Sequence, residues 1–377
     1  MSSTDFIPVC EPLLGGRELE YVTKAVSGGW ISSSGSYVAE FEREFAKYLG
    51  VPYAVTTTSG TTALHLALVA AGIGAGDEVI IPAFTMIASA IAVCYTGAKP
   101  VFVDADASNW NLDPSLIEAK ITAKTRAIMP VHVYGHSCDM DALQRIAHKH
   151  GLLVIEDAAE AIGSRYNGRL CGSIGDISCF SFFANKLITT GEGGMVVVRD
   201  ERFIERLRYY KNLCFPLDGS RRYVHEDIGF NYRMPNVLAA IGLAQLERAD
   251  FYLECRRSNA RRYNALLAGQ RGITIPPELP WTTNSYWMYS ILIGDDFGIS
   301  RDEVMTGLKS VGIETRSFFV SMHRQPALAK FGCDVSGDYP VTDDLARRGL
   351  YLPSSSGLSD AQISRISGAL LALRPAQ

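Results

Sequence analysis

Seven short runs rich in β-branched and aromatic residues, at 53–58, 78–82, 100–104, 125–133, 152–157, 177–182 and 194–199, alternate with stretches of helical character over the first two-thirds of the chain. That alternation constrains the fold more than any other feature. Strands joined through helices run parallel, and a parallel sheet has to be covered on both faces. The pattern therefore predicts an α/β architecture with a mostly parallel central sheet. The helical stretch at 61–71 is apolar on nearly every side (Ala63, Leu64, Leu66, Ala67, Leu68, Val69, Ala70), so it is expected inside the domain rather than on its surface. Another, at 235–268, carries Glu247, Arg248, Asp250, Glu254, Arg256 and Arg257 and is expected to bridge two lobes. After Gly272, Ile275-Pro276-Pro277-Glu278-Leu279-Pro280 cannot continue a helix and marks a linker. A strand expected at 286–293 and helices at 301–311 and 360–373 make the remainder a small α+β lobe. The expected division is a large α/β domain over residues 1–270 and a small C-terminal domain over 271–377, within what 377 residues allow.

Charge and cysteine usage narrow the partners. Thirty-six Lys and Arg are scattered along the chain and outnumbered by 40 Asp and Glu, which argues against nucleic acid or an anionic membrane and for small molecules. No apolar run approaches the roughly 20 residues that span a bilayer, and Met-Ser-Ser-Thr-Asp at the start lacks the features of a signal peptide. The eight cysteines are dispersed without a Cys-x-x-Cys pair, so neither a disulfide framework nor a zinc site is expected, and a cytoplasmic location is. His132, His136 and Cys138 lie close enough in sequence to raise a metal site, but they straddle a Tyr-Gly turn, and buried or turn-side roles are expected instead, with no metal.

Ligands of open parallel sheets bind beyond the carboxyl ends of the strands. Three loops there carry chemistry. Thr58-Ser59-Gly60-Thr61-Thr62 precedes the buried helix; glycine admits a close approach, and hydroxyls and N–H groups at a helix start suit an anion, although Ser and Thr also cap helices for structural reasons. It is neither a P-loop nor a dinucleotide fingerprint. Val154-Ile155-Glu156-Asp157-Ala158-Ala159-Glu160 ends an apolar strand in carboxylates, and a buried Asp there needs a positive partner such as a protonated pyridine nitrogen, or else an internal salt bridge or cap. Phe180-Ser181-Phe182-Phe183-Ala184-Asn185-Lys186-Leu187-Ile188 sets a lysine among apolar residues, where it has reason to lose its proton and act as a nucleophilic amine, unless it merely snorkels to the surface. An anion cup, a buried Asp and a desolvated Lys on separate strand ends are together what pyridoxal 5′-phosphate requires.

With those residues the chain resembles the pyridoxal-phosphate-dependent nucleotide-sugar aminotransferases of the DegT/DnrJ/EryC1/StrS family nearly end to end. The resemblance is carried by Gly29-Trp30-Ile31-Ser32-Ser33, Ser59-Gly60-Thr61-Thr62-Ala63-Leu64-His65, Ile128-Met129-Pro130-Val131-His132, Glu156-Asp157-Ala158-Ala159-Glu160-Ala161, Asn185-Lys186, Thr189-Thr190-Gly191-Glu192-Gly193-Gly194 and Gly229-Phe230-Asn231-Tyr232-Arg233-Met234. It implies fold type I, the aspartate aminotransferase fold, in a homodimer whose active sites are shared between subunits. Lys186 matches the lysine that carries the cofactor, Asp157 the partner of the ring nitrogen, and Glu160 the residue near the ring hydroxyl. Gly60, Thr61 and Ser181 match phosphate contacts, and Asn231 an asparagine reaching the phosphate from the other subunit. Met86 stands where relatives commonly stack Tyr, Trp or Phe on the ring; a thioether can also pack there. By the same resemblance L-glutamate is the amino donor and a nucleotide-linked 4-keto-6-deoxyhexose the acceptor, with GDP-4-keto-6-deoxy-D-mannose first among such sugars. A surface polysaccharide such as O-antigen is the expected destination. Trp30 and Ser32 in the 30–35 loop, the group Arg221, Arg222, Tyr223 and His225, the pair Tyr286-Trp287, and Arg316 and His323 are candidates to hold sugar and diphosphate. A sugar 3-dehydratase of the same fold carries histidine in place of the lysine, so Lys186 argues against it. Amination at C3, a cyclitol substrate, other nucleotides and a non-catalytic cofactor-binding sensor stay open at this level.

Overall fold

The computed structural model of the protein describes residues 6–217, 219, 221 and 223–375. Seven strands, β1 (Tyr53–Thr57), β2 (Glu78–Pro82), β3 (Lys99–Val103), β4 (Thr125–Ile128), β5 (Leu153–Asp157), β6 (Ile177–Ser181) and β7 (Gly194–Val198), form one sheet in the order β1-β7-β6-β5-β4-β2-β3. The pairs from β6 to β3 are parallel, and β7 runs antiparallel to both its neighbours. Around the sheet lie α1 (Glu18–Ser27), α2 (Ser36–Leu49), α3 (Gly60–Ala70), α4 (Ala88–Tyr95), α5 (Met140–His150), α6 (Glu201–Lys211), α7 (Asn236–Leu246) and α8 (Ala249–Leu267). The mostly parallel α/β fold read from the alternation is the one observed.

Both faces of the sheet are buried, and the period of two along each strand divides the core. Val55, Ile155, Val196 and Val198 pack with Leu64, Leu66 and Leu68 of α3 and with Val93 of α4, whereas Ala54, Phe180, Met195 and Val197 meet Phe41 and Phe45 of α2 and Ala240 of α7. Each fully buried Phe or Leu here contributes roughly 1.5–3 kcal/mol. As its composition requires, α3 is covered on nearly all sides. Its start is held by a capping box: Ser59 Oγ accepts from the Thr62 N–H and Thr62 Oγ from the Ser59 N–H.

The C-terminal part builds an antiparallel sheet of β8 (Ile273–Thr274), β9 (Tyr289–Ile293), β10 (Arg316–Ser317) and β11 (Gly349–Leu352), ordered β8-β9-β11-β10. Its core joins Ile291, Leu350 and Leu352 to the helices Arg301–Ser310 and Asp360–Ala372, and takes in Ile7 from the other end of the chain. The helical stretch at 235–268 is two helices with a turn at Glu247–Arg248, where the Glu247 carboxylate accepts from the Tyr21 hydroxyl. α8 joins two apolar clusters, with Ala249 and Tyr252 in the one that holds Phe41 and Phe180 and Ala260, Tyr263 and Leu267 in the one that holds Ile291 and Leu350. Two strands are shorter than expected. β4 ends at Ile128 because Pro130 has no N–H to donate, leaving Val131 a single bridge to Asp157, and β9 starts at Tyr289 because Tyr286 has a φ of 49°. Among the described residues no helix is long and apolar enough to cross a membrane.

Candidate active site

The loops that leave the carboxyl ends of β1, β2, β5 and β6 meet over a cavity of about 290 Å³, which Gly60, Thr61, Met86, Asp157, Glu160, Ser181 and Lys186 line together. Against it stands the start of α3. The first N–H groups of a helix have no acceptor within it, and those of Gly60 and Thr61 belong to residues that line the cavity. Gly60 is required for the approach, since a Cβ there would stand 2.7 Å from Ser181 Cβ. A side chain on Gly194, the first residue of β7, would meet the Ser59 carbonyl oxygen, so the cap and the strand beside it also fit only without one.

Asp157 and Glu156 end β5 on opposite faces, as neighbours in a strand must. Glu156 turns away from the cavity and is fully buried. Its carboxylate accepts from His132 Nε2 and from the N–H groups of Gly172, Ile174 and Gly175. Burial pushes its carboxyl up, but His132 and these N–H groups outweigh that and hold it below the usual range. His132 Nδ1 accepts from the Cys138 N–H, so Nε2 carries the proton given to Glu156. His136 likewise has both ring nitrogens engaged, with Ser137 O and the Leu279 N–H. Asp157 faces the cavity. Its oxygens accept from Ser89 Oγ at 2.8 Å and the Ala159 N–H at 3.2 Å, and among the described residues no cation lies within ion-pair distance. Burial raises its carboxyl above the ordinary value, against the pull of Ser89, Ala159 and Lys186.

Lys186 follows β6 in a tight return to β7, fixed by Lys186 N–H to Phe183 O and Thr190 N–H to Phe182 O. Burial lowers its proton affinity, with Glu160 and Asp157 opposing. Glu160 accepts from the Tyr134 N–H at 2.7 Å, and burial pushes its carboxyl up to about 7. The site thus holds a desolvated amine, an acid short of a cation and a cup of N–H groups. Asn185, beside the lysine, keeps a buried Oδ1 with no partner among the described residues. That donor and acceptor set fits pyridoxal 5′-phosphate: a cationic ring nitrogen would relieve Asp157, a phosphate would use the α3 start, and an aldehyde carbon would take the amine. Met86, 48% exposed, lines the mouth with its thioether accepting from the Ala88 N–H, so the ring face has an apolar neighbour there.

The other candidates lie in several places. Trp287 lines the cavity. Tyr286, next to it, turns into the small-lobe core and donates to Glu278. His323 turns to Asp343 at 3.2 Å, and Arg316 is exposed beside Glu314. Trp30 and Ser32 are exposed in the loop before α2, tied to α7 by the Asn236 N–H to Ser32 O. Arg221 pairs with Glu226, Tyr223 lies near Phe215, and His225 donates to Leu213 O. Arg222 lies outside the described residues. Asn231 is exposed and does not line the cavity. Sequence reasoning missed Ser89, Asn185, Phe319 and Tyr351. Ser89 orients Asp157 from a separate helix, and the two aromatics come from the C-terminal third, where nothing distinguishes them from core residues.

The DegT/DnrJ/EryC1/StrS aminotransferase family matches residues 12–371. GDP-perosamine synthase of Caulobacter vibrioides is 46% identical over 371 residues, covering 98% of this chain and 99% of that protein. GDP-perosamine synthase of Escherichia coli O157:H7 is 46% identical, covering 95% and 96%. A solved structure, a putative sugar aminotransferase from Streptococcus pneumoniae in its PLP form, superposes with a TM-score of 0.91 at 29% identity, over 97% of this chain and 98% of that one.

Proposed function

The chain belongs to the DegT/DnrJ/EryC1/StrS aminotransferase family and is a pyridoxal-phosphate-dependent aminotransferase of fold type I, and from that premise we propose that it moves an amino group from L-glutamate to C4 of GDP-4-keto-6-deoxy-D-mannose, giving GDP-perosamine. The observation that carries the chemistry is the meeting of Lys186, Asp157 and the start of α3 in one cavity. The sugar rests on the two GDP-perosamine synthases and their nearly full-length match. Bound there, the cofactor supplies an electron sink for the carbon that loses its proton.

This chain's residues do the rest. Asp157, aligned by Ser89, pairs with the ring nitrogen and keeps it protonated. Gly60, Thr61 and Ser181 hold the phosphate, Met86 covers the ring, and Glu160 stands by the ring hydroxyl. Lys186 would hold the cofactor and, once free, would serve with its Nζ as the base and acid that moves the donor's proton. We assign Asn231 to the phosphate of the partner subunit's site. Its exposure away from its own cavity supports a homodimer, as do the exposed apolar residues Trp30, Ile31, Leu217 and Ile228, the last 90% exposed. Sugar and diphosphate contacts are assigned to the loops that carry Trp30 and Arg221. Eight free thiols, two of them (Cys94 and Cys333) only 3.7 Å apart, suit a reducing cytoplasm. The product would enter a surface polysaccharide such as O-antigen.

The test is spectroscopic. The cofactor's visible absorbance should bleach with L-glutamate and return with GDP-4-keto-6-deoxy-D-mannose. Return only with a dTDP- or UDP-linked ketosugar would overturn the sugar assignment. Lys186→Ala should abolish turnover while still binding pyridoxamine 5′-phosphate, and full activity in that variant would remove Lys186 from its role.

A further inference from the structure

Transamination releases a lysine amine inside a cavity with little water around it and asks it to take up a proton there. A charge created in such a place needs stabilisation, but not so much that the proton cannot leave again. Among the described residues Lys186 Nζ has no carboxylate within ion-pair distance. What it does have is an indole: Nζ stands 3.8 Å from the centroid of the Trp287 ring.

That ring is held by two contacts, and the backbone that carries it by a third. Its Nε1–H donates to the carbonyl oxygen of Asn185, the residue before the lysine, at 2.8 Å. The backbone carbonyl oxygen of Trp287 accepts from Nη1 of Arg256, which is buried, at 3.0 Å. Its ring lies nearly parallel to Tyr134, 24° between planes and 6.2 Å between centroids. With Trp287 only 4% exposed, the indole cannot swing away from the amine without breaking its contacts with Asn185 and Tyr134. The hydrogen bond to Asn185 also ties the ring to the same backbone that positions Lys186, so ring and amine move together.

The face of an indole carries negative potential. It attracts an ammonium, and most strongly where water is excluded, but gains little from a neutral amine. Glu160, Asp157 and the Cys10 thiol are the other groups that face the amine; Arg256 lies one contact further, donating to Cys10 Sγ and to Trp287. A third carboxylate in place of the indole would pin the charge, and an aliphatic side chain would give it nothing.

We propose that the Trp287 ring is the resting face of the Lys186 ammonium during the half of the reaction in which that amine is released, and that it governs how readily the amine gives up its proton. The proposal rests on the reading of Lys186 as the cofactor-bearing amine. It assigns Trp287 to the reacting nitrogen rather than to the sugar.

The test uses the holoenzyme converted by L-glutamate to its pyridoxamine 5′-phosphate form, in which Lys186 is free. Acylation of Lys186 by acetic anhydride is followed against pH by mass spectrometry of its peptide. Four preparations are compared with the wild type: protein grown on 5-fluorotryptophan, Trp287→Leu, and Trp287→Phe with and without 5-fluorotryptophan at the other three tryptophans. Fluorination drains the ring face yet keeps the shape and the Nε1–H, so a purely structural role would not respond. The acylation midpoint should fall by about half a pH unit on fluorination and by about one in Trp287→Leu, and fluorination should shift nothing further in Trp287→Phe. A midpoint unmoved by fluorination, or moved equally in the Trp287→Phe background, overturns the proposal even if Trp287→Leu fails to fold. The underlying reading fails separately. Borohydride reduction would then fix the cofactor to a residue other than Lys186, while the acylation midpoint still reports on the indole.

Discussion

Glu160 is the residue whose ionisation leaves the clearest mark on stability. Its carboxyl is raised from the ordinary range to about 7 by burial, against Lys186 and the Tyr134 N–H. The native state then holds this proton more tightly than the unfolded chain. Stability from this group is full below the unfolded value near 4.5, falls as pH rises towards 7 and is lost above it, with a span of at most ~3 kcal/mol. Glu160→Gln removes the titrating group. Urea unfolding of the cofactor-free protein should therefore show less loss of stability between pH 5 and 7.5 in Glu160→Gln than in the wild type, and parallel losses would refute the assignment. The same residue shows what sequence could and could not deliver here. Three carboxylates within five positions were visible at the end of a strand, and the resemblance singled out Asp157 and Glu160. Which of Glu156 and Asp157 meets the cavity is decided by strand phase and by His132, and the five donors that take Glu156 out of play come from segments up to 24 residues away in sequence.

At the scale of elements, the start of α3 is where local sequence and site coincide. Ser59 caps the helix, and Gly60 lets that cap sit against β6. Gly60→Ala would drive a methyl group to 2.7 Å from Ser181 Cβ, and because β6 is fully buried the helix start has to yield instead. Overpacking of this kind costs about 1–3 kcal/mol. Its burden should fall on the phosphate cup, so cofactor affinity, measured by titration of the cofactor-free protein, should drop by roughly 10- to 100-fold while the far-UV spectrum is retained. Unchanged affinity would separate Gly60 from phosphate binding. Elements of this sort were legible because their signals are local: a Ser-x-x-Thr cap, an all-apolar helix, alternating strand faces. The end of β4 at Pro130 has a local cause, but other misjudged boundaries involve contacts further along the chain. The turn between α7 and α8 is fixed by Tyr21, more than 200 residues away, and the late start of β9 by the left-handed Tyr286, which shares its Glu278 contact with the linker.

At the scale of the molecule, what a single chain cannot show in its sequence is which surface another copy covers. Leu217 and Ile228 read as any loop's residues until the fold leaves them outside, and Asn231, matched to an asparagine that reaches the phosphate from the other subunit, stands away from the cavity of its own chain. A shared site reconciles the two, and it makes a prediction that a self-contained site does not. Take Lys186→Ala, inactive alone, and Asn231→Ala, weakened in phosphate binding, and let the two exchange subunits. If each site combines Lys186 of one subunit with Asn231 of the other, a mixed dimer has one site bearing both lesions and one bearing neither. Random exchange makes half the dimers mixed, each with one intact site, so activity should recover to about a quarter of wild type at equal total protein. If Asn231 instead served its own chain, every site in the mixture would carry one lesion or the other, and activity would never exceed the average of the two parents. Following activity against time after mixing, with cofactor saturating and then limiting, distinguishes the cases: recovery from intact sites persists at limiting cofactor, whereas residual Asn231→Ala activity collapses.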